Sequence, residues 1–270
     1  MTGTPEGHLE VAALSDTGTE RDHNEDSCGT FLESGACAIV GVADGVSSSE
    51  GGEVASQMAI EVTLRACREE APAGSLGQRL YNAVQQANIE IYERAYAVPE
   101  LRGMTTTLTA VALDRGELTA VHVGDSRLYL VRAGTITQLT KDHTVAAERL
   151  LTGLVSRERA LADRSALTRS VGRELIVSRD RISRQLAQGD VLILCSDGLY
   201  NVLSDPEMRA IVEDRDAPAA CRALIGEANG RGTPDNVTAA IVRMTGPAAR
   251  RPQPKGLLAA LRRLRGGPSS

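Results

Sequence analysis

Short apolar runs bounded by turn residues recur along the chain at residues 36–42, 106–113, 118–123, 127–131, 136–139, 191–195 and 237–244, and each predicts a buried strand. Asp114-Arg115-Gly116 and Ala133-Gly134 fall where tight turns would join neighbours into antiparallel hairpins. Two longer stretches, 52–70 and 75–96, space their apolar residues helically instead. In the second, Leu76, Leu80, Ala83, Val84, Ala87 and Ile91 share one face and Ser75 is placed to cap the start. The intervening Ala71-Pro72-Ala73-Gly74 is a short breaker, so the two helices should pair antiparallel over a sheet. A second pair is predicted over 204–214, with Ser204 as cap and Pro206 in the first turn, and over 217–228. Hairpins interleaved with helix pairs imply the α+β class, an antiparallel core carrying helices on its faces.

Composition narrows the picture. With 270 residues, 42% of them hydrophobic, the chain can bury one large core, here assigned to residues 1–246, followed by a Pro-, Arg- and Gly-rich tail over 247–270. Aromatics are only 2% and Trp is absent, so the core must be aliphatic, and stacking on single-stranded nucleic acid is disfavoured. A net charge of −5 argues further against a nucleic-acid partner, which would need a basic stripe to displace counterions. Five cysteines without CxxC spacing fit neither a disulfide framework nor a zinc knuckle. The first ten residues hold no apolar run, so neither a signal peptide nor a membrane anchor is expected, and the expected compartment is the cytoplasm.

Three aspartates sit at the ends of apolar runs and precede Gly or Asn: Asp44-Gly45, Asp197-Gly198 and Asp235-Asn236. Carboxylates at strand ends project into the crevice beyond a sheet. Several converging there would repel one another unless a cation lay between them, and oxygen ligands without His or Cys select Mg²⁺ or Mn²⁺ over zinc. Each dipeptide alone is an ordinary turn sequence. A fourth element, running from Asp16 through Arg21, His23, Asn24, Glu25 and Asp26, adds an arginine suited to gripping phosphate with two parallel hydrogen bonds, in a loop expected before the first core strand.

These pieces, in this order, resemble the protein phosphatase 2C family of metal-dependent Ser/Thr phosphatases, bacterial type, over about residues 14–244. The motifs are Arg21 with Asn24-Glu25-Asp26, Asp44-Gly45 with Gly52-Glu53, Gly103-Met104-Thr105-Thr106-Thr107, Gly124-Asp125-Ser126-Arg127, Leu139-Thr140-Lys141-Asp142-His143, Leu167 to Gly172, Ser196-Asp197-Gly198 and Asp235-Asn236-Val237-Thr238. The resemblance implies an α-β-β-α sandwich, two antiparallel sheets between helix pairs, with two Mn²⁺ or Mg²⁺ ions in a cleft at one end. It implies Asp44 as the carboxylate bridging both ions, the Gly45 carbonyl on one, and Asp197 and Asp235 on the other. Glu25 would reach a metal through water, Asp26 would act from behind, and Arg21 would bind the substrate phosphate. A hydroxide bridging the metals would attack phosphorus directly. The implied substrates are phosphorylated proteins, a Ser/Thr kinase or its targets, acted on by a monomer.

Two positions depart from the family pattern. Val46 stands where many relatives carry a His or Met after Asp-Gly, and the His is the proposed proton donor there. Neither His23 nor His143 is assigned in its place. Asn201 stands where a further Asp would complete a third metal site with Asp125, so third-metal binding should be weak or absent. Residues 144–169 resemble the family's flap, with Ala162-Asp163 where His-Pro is usual. The alternative function is a pseudophosphatase that binds phosphoproteins without turnover. It is weighted down because Asp44, Asp197 and Asp235 are all retained.

Overall fold

The computed structural model describes residues 9–33, 36–46, 51–69, 74–151 and 166–247. In chain order these form β1 (Leu9–Asp16), β2 (Asp26–Glu33), β3 (Cys37–Val46), α1 (Gly51–Arg68), α2 (Leu76–Ala97), β4 (Thr105–Thr106), β5 (Leu108–Asp114), β6 (Glu117–Val123), β7 (Arg127–Arg132), β8 (Thr135–Gln138), α3 (Val145–Leu151), β9 (Asp180–Gln185), β10 (Val191–Cys195), α4 (Asp197–Tyr200), α5 (Asp205–Glu213), α6 (Ala217–Gly230) and β11 (Val237–Met244). All strand pairs are antiparallel. One sheet has the order β1-β11-β10-β7-β8, the other β2-β3-β5-β6-β9, with β4 paired to the end of β3.

Both predicted hairpins form, and their turns take the backbone that matches strand twist. Arg115 and Gly116 have φ of 51° and 84°, and Ala133 and Gly134 have 48° and 75°. The helices start where their caps allow. Ser75 accepts from the Gln78 amide at 3.3 Å, and Ser204 and Glu207 form a reciprocal capping box.

Three apolar clusters set the layers. Val40, Val42, Leu128, Leu192, Leu194 and Val242 fill the space between the sheets. Ile39, Leu80, Val84, Ile91, Leu108 and Val121 join the second sheet to α1 and α2, while Tyr129, Ile193, Leu224 and Ile241 join the first to α5 and α6. Neighbours on β3 and β10 thus face opposite cores, and strands covered on both sides read as continuous apolar runs. The result is the expected four-layer α-β-β-α sandwich, in the α+β class.

Two sequence expectations need correcting. The Arg21 loop does not precede the first strand; β1 runs into it and β2 leaves it. Asp235 does not close a strand but enters one, immediately before β11. Because β11 is antiparallel to β10, its start lies beside the end of β10, so Asp235 still reaches the end of the sandwich that carries Asp197. The tail assigned to 247–270 lies, beyond Pro247, outside the described residues, as do 152–165 of the flap, including Ala162-Asp163.

Candidate active site

The register Asp26↔Asp44 sets two carboxylates opposite each other at the end of the second sheet. The Asp44 peptide is clamped from the neighbouring segment. Its N–H donates to Thr107 Oγ1 at 3.0 Å, and its carbonyl accepts from Thr107 N–H and Thr106 Oγ1, each at 2.8 Å. Thr107 Oγ1 in turn lies 2.5 Å from Ser126 Oγ. A Cβ on Gly45 would run into the carbonyls of Gly52 and Glu25, so only glycine lets the end of β3, the start of α1 and the Arg21 loop meet.

Asp197 opens α4 and Asp235 lies in the turn before β11. Gly198 brings these two segments together, since a Cβ there would strike the Asn236 carbonyl. Asn236 staples the Arg21 loop to them. Its Nδ2 donates to the carbonyls of Thr17 (2.8 Å) and His23 (2.9 Å), and its Oδ1 accepts from Glu25 N–H at 2.8 Å. Ser196 Oγ donates to Asp26 at 2.6 Å and accepts from Thr238 N–H at 3.0 Å. The Glu25 carboxylate lies against Gly52 in the first turn of α1, where the helix dipole favours negative charge. Sequence reading quoted the motifs holding Thr107, Ser196 and Asn236 but gave these three no role. Small polar residues beside each aspartate were the available signal.

Electrostatically the grouping is strained. Burial pushes the Asp44 carboxyl well above its usual range, and the charges of Asp26, Asp197, Asp125 and Asp235 push it further. Burial also raises Asp26 to about 7, against the hydrogen bonds from Ser196 and Thr238. Asp125 rises to about 7 through burial and then the Asp197 and Asp142 charges. Carboxylates that suppress one another's ionisation, with only oxygen donors among them, fit a hard divalent cation. Among the described residues, no three His, Cys, Asp or Glu side chains are grouped so that they could hold a metal ion as they stand. Two of the expected ligands are instead engaged by protein donors. Arg21 Nη2 lies 3.0 Å from both Asp235 oxygens, and Asn201 Nδ2 donates to Asp197 at 3.1 Å.

The cleft has two lobes. One of about 470 Å³ is lined by Asp125, Asp142, Asp197, Asn201 and Asp235, the other of about 580 Å³ by Arg21, His23, Glu25 and Glu53. Arg21 reaches Asp235 at the junction and is half exposed. Asn201 does fall beside Asp197 in the lobe containing Asp125, whereas Val46, 40% exposed, lines neither lobe. His143 is buried: Gly124 N–H donates to its Nδ1, its ring stacks on His122 at 4.7 Å, and Asp180 lies 3.4 Å from its Nε2. It belongs to the core. His23 lines the Arg21 lobe.

An aspartate cluster with Asp26 and Asp125 buried and Asp44, Asp197 and Asp235 half-buried, an arginine at its edge, at one end of such a sandwich, defines the class of metal-dependent phosphatases. The family model described as Protein phosphatase 2C matches residues 19–222. The chain is 36% identical over 234 residues to the serine/threonine phosphatase stp of Listeria welshimeri, covering 84% of this chain and 93% of the relative. It is 37% identical over 236 residues to the serine/threonine protein phosphatase PstP of Mycobacterium tuberculosis, spanning 86% of this chain and 44% of that longer protein. The crystal structure of the M. tuberculosis serine/threonine phosphatase PstP/Ppp superposes with a TM-score of 0.79 at 35% identity, covering 88% of this chain and 99% of that one. The catalytic domain of PstP in complex with two manganese ions superposes at 0.76 and 34%, covering 87% and 97%. The chain belongs to the protein phosphatase 2C family, in its bacterial branch.

Proposed function

We infer that the aspartate cleft is the site at which the chain hydrolyses phosphoserine and phosphothreonine in proteins. The chain is a protein-serine/threonine phosphatase dependent on divalent metal. The observation that carries the site assignment is the crowding of Asp26, Asp125, Asp197 and Asp235 around the half-buried Asp44, which is unfavourable until a cation offsets it. The binding-only alternative has no support: every carboxylate whose loss would define it is present, and the relatives it matches are named phosphatases.

Asp44, the Gly45 carbonyl, Asp197 and Asp235 are proposed to hold two Mn²⁺ or Mg²⁺ ions, with Glu25 and Asp26 behind them. When bound, such ions make a water nucleophilic near neutral pH and offset charge on phosphoryl oxygens. Arg21 exchanges Asp235 for two phosphate oxygens, orienting phosphorus and stabilising charge as the bond to the Ser or Thr oxygen breaks. Thr106 and Thr107 fix the Asp44 main chain, and Ser196 keeps Asp26 turned inward. The Asn236 staple holds the Arg21 loop at its working distance, since positioning errors of about 1 Å can cost about 100-fold in rate. Asn201 in place of a carboxylate supports a two-ion site, because the position that would add a charge beside Asp125 and Asp197 carries a neutral amide. Among the described residues no helix is long and apolar enough to cross a membrane, and we propose a cytoplasmic monomer acting on a Ser/Thr kinase or its targets. Phosphate release from phosphothreonine and phosphoserine peptides in Mn²⁺, abolished by EDTA and restored by excess Mn²⁺, tests the reading. Turnover that persists in EDTA would overturn it.

A further inference from the structure

Beside the aspartate cleft, on the α2 side, lies a separate cavity of about 440 Å³ whose walls include Val46, Tyr92, Tyr96, Arg102, Thr105 and Arg173. Its floor is continuous with the candidate active site. Val46 pairs with Thr105 one step beyond the Gly45↔Thr106 pair, and Thr105 Oγ1 donates to the Val46 carbonyl at 3.3 Å. Val46 is two residues past Asp44 on the same strand, about 7 Å away. The walls combine an aromatic surface with two cations: Tyr96 is 83% exposed, and among the described residues neither the Arg102 nor the Arg173 guanidinium has an ion pair or hydrogen bond. In a chain of net charge −5 many arginines are held by carboxylates, as in Arg65–Glu90, Arg127–Asp142, Arg132–Asp190 and Arg231–Glu207, whereas the two at this cavity keep their charge open to a ligand.

Resting on the phosphatase reading above, we propose that this cavity docks the substrate segment flanking the phosphorylated residue, and that Arg102 and Arg173 select acidic side chains in it. The occupant is an acidic phosphopeptide. An extended chain advances about 3.3 Å per residue, so side chains about two to four positions from a phosphoresidue held at Asp44 and Arg21 fall over the two arginines. The tyrosine faces and the exposed Val46 cover the aliphatic parts of the same segment. Specificity arises in a place that touches neither metal nor phosphate.

The test uses the full chain and labelled phosphothreonine peptides with Glu, Ala or Lys at positions two to four on both sides. Turnover is read in Mn²⁺, and equilibrium binding by fluorescence anisotropy in EDTA. The wild type should favour the Glu peptide over the Ala peptide by about 3- to 10-fold in kcat/KM, through KM, as expected for two solvent-facing ion pairs. The double variant Arg102→Ala/Arg173→Ala should lose that preference while hydrolysing p-nitrophenyl phosphate, which has no flanking residues, at the wild-type rate. Arg102→Lys/Arg173→Lys should keep part of it. Equal handling of the Glu and Ala peptides by the wild type, or a preference that survives the double Ala variant, would overturn the docking assignment with the phosphatase reading intact. An anisotropy preference that depends on both arginines, without turnover of any substrate in Mn²⁺, would uphold the groove and sink the phosphatase reading instead.

Discussion

Gly198 shows how one missing methyl group shapes the cleft. Its backbone touches the Asn236 carbonyl, so the segments bearing Asp197 and Asp235 meet only because no Cβ intervenes. Gly198→Ala should lower stability by about 1–3 kcal/mol, the usual cost of overpacking, and reduce kcat because both aspartates are displaced. Chemical denaturation and peptide turnover would check this, and a variant with wild-type values for both would refute the close approach. His122 offers a second single-residue prediction. It is fully buried, its Nε2–H donates to the Lys141 carbonyl and its Nδ1 pairs with Thr109 Oγ1, and burial followed by the neighbouring His143 lowers its pKa from 6.5 to about 4. A basic group depressed in the fold takes up its proton more readily when unfolded, so its contribution is complete above pH 6.5 and lost as pH falls towards 4. The amount is about 3 kcal/mol. Between pH 7 and 4 the unfolding free energy of the wild type should therefore fall more steeply than that of His122→Asn. Parallel slopes would contradict the buried neutral imidazole.

At the level of elements, the sequence pattern located the strands that are buried on both faces and missed three that are not. β1, β2 and β9 are all sheet edges. β9 exposes Asp180, Arg181, Ser183, Arg184 and Gln185 to varying degrees and turns Ile182 towards the core, so its residues give almost no apolar signal. β2 is similarly polar, with Asp26, Ser27, Gly29 and Thr30 among its first five residues. An edge strand earns its place by pairing, which is a property of its neighbour and invisible in its own residues. The remaining edge, β8, was legible because Ala133-Gly134 announced its turn. The aspartates themselves were legible as strand-end residues beside Gly or Asn. Their supports Thr107, Ser196 and Asn236 were not, because what matters in them is a hydrogen bond to a residue tens or hundreds of positions away. Local signals were reliable where they act locally, as at the helix caps. Ser204 and Glu207 cap α5 and bond to none of the aspartates of the cleft, so Ser204→Ala should cost about 1 kcal/mol in stability and leave kcat unchanged. A change in kcat would show that α5 is coupled to the cleft.

For the molecule as a whole, the proposed metal site would couple cation binding to folding. Without a cation the sandwich must hold Asp44 against the charges of Asp26, Asp197, Asp125 and Asp235. Binding to the folded state alone should therefore stabilise the wild type by about 2.7 kcal/mol when free Mn²⁺ is 100-fold above Kd, seen as a rise in Tm. In EDTA, Asp44→Asn should melt higher than the wild type, because one repelled carboxyl is gone, and it should show little response to Mn²⁺. A lower Tm for that variant in EDTA, with an undiminished Mn²⁺ response, would separate Asp44 from the metal. The central claim is that Asp44 organises the chemistry of a metal-dependent protein-serine/threonine phosphatase. Its most direct test is phosphate release from a phosphothreonine peptide by Asp44→Asn at saturating Mn²⁺. The account predicts a loss of at least about 1,000-fold in kcat, about 4 kcal/mol in the barrier, by a protein that remains folded. Turnover within about tenfold of the wild type would contradict it.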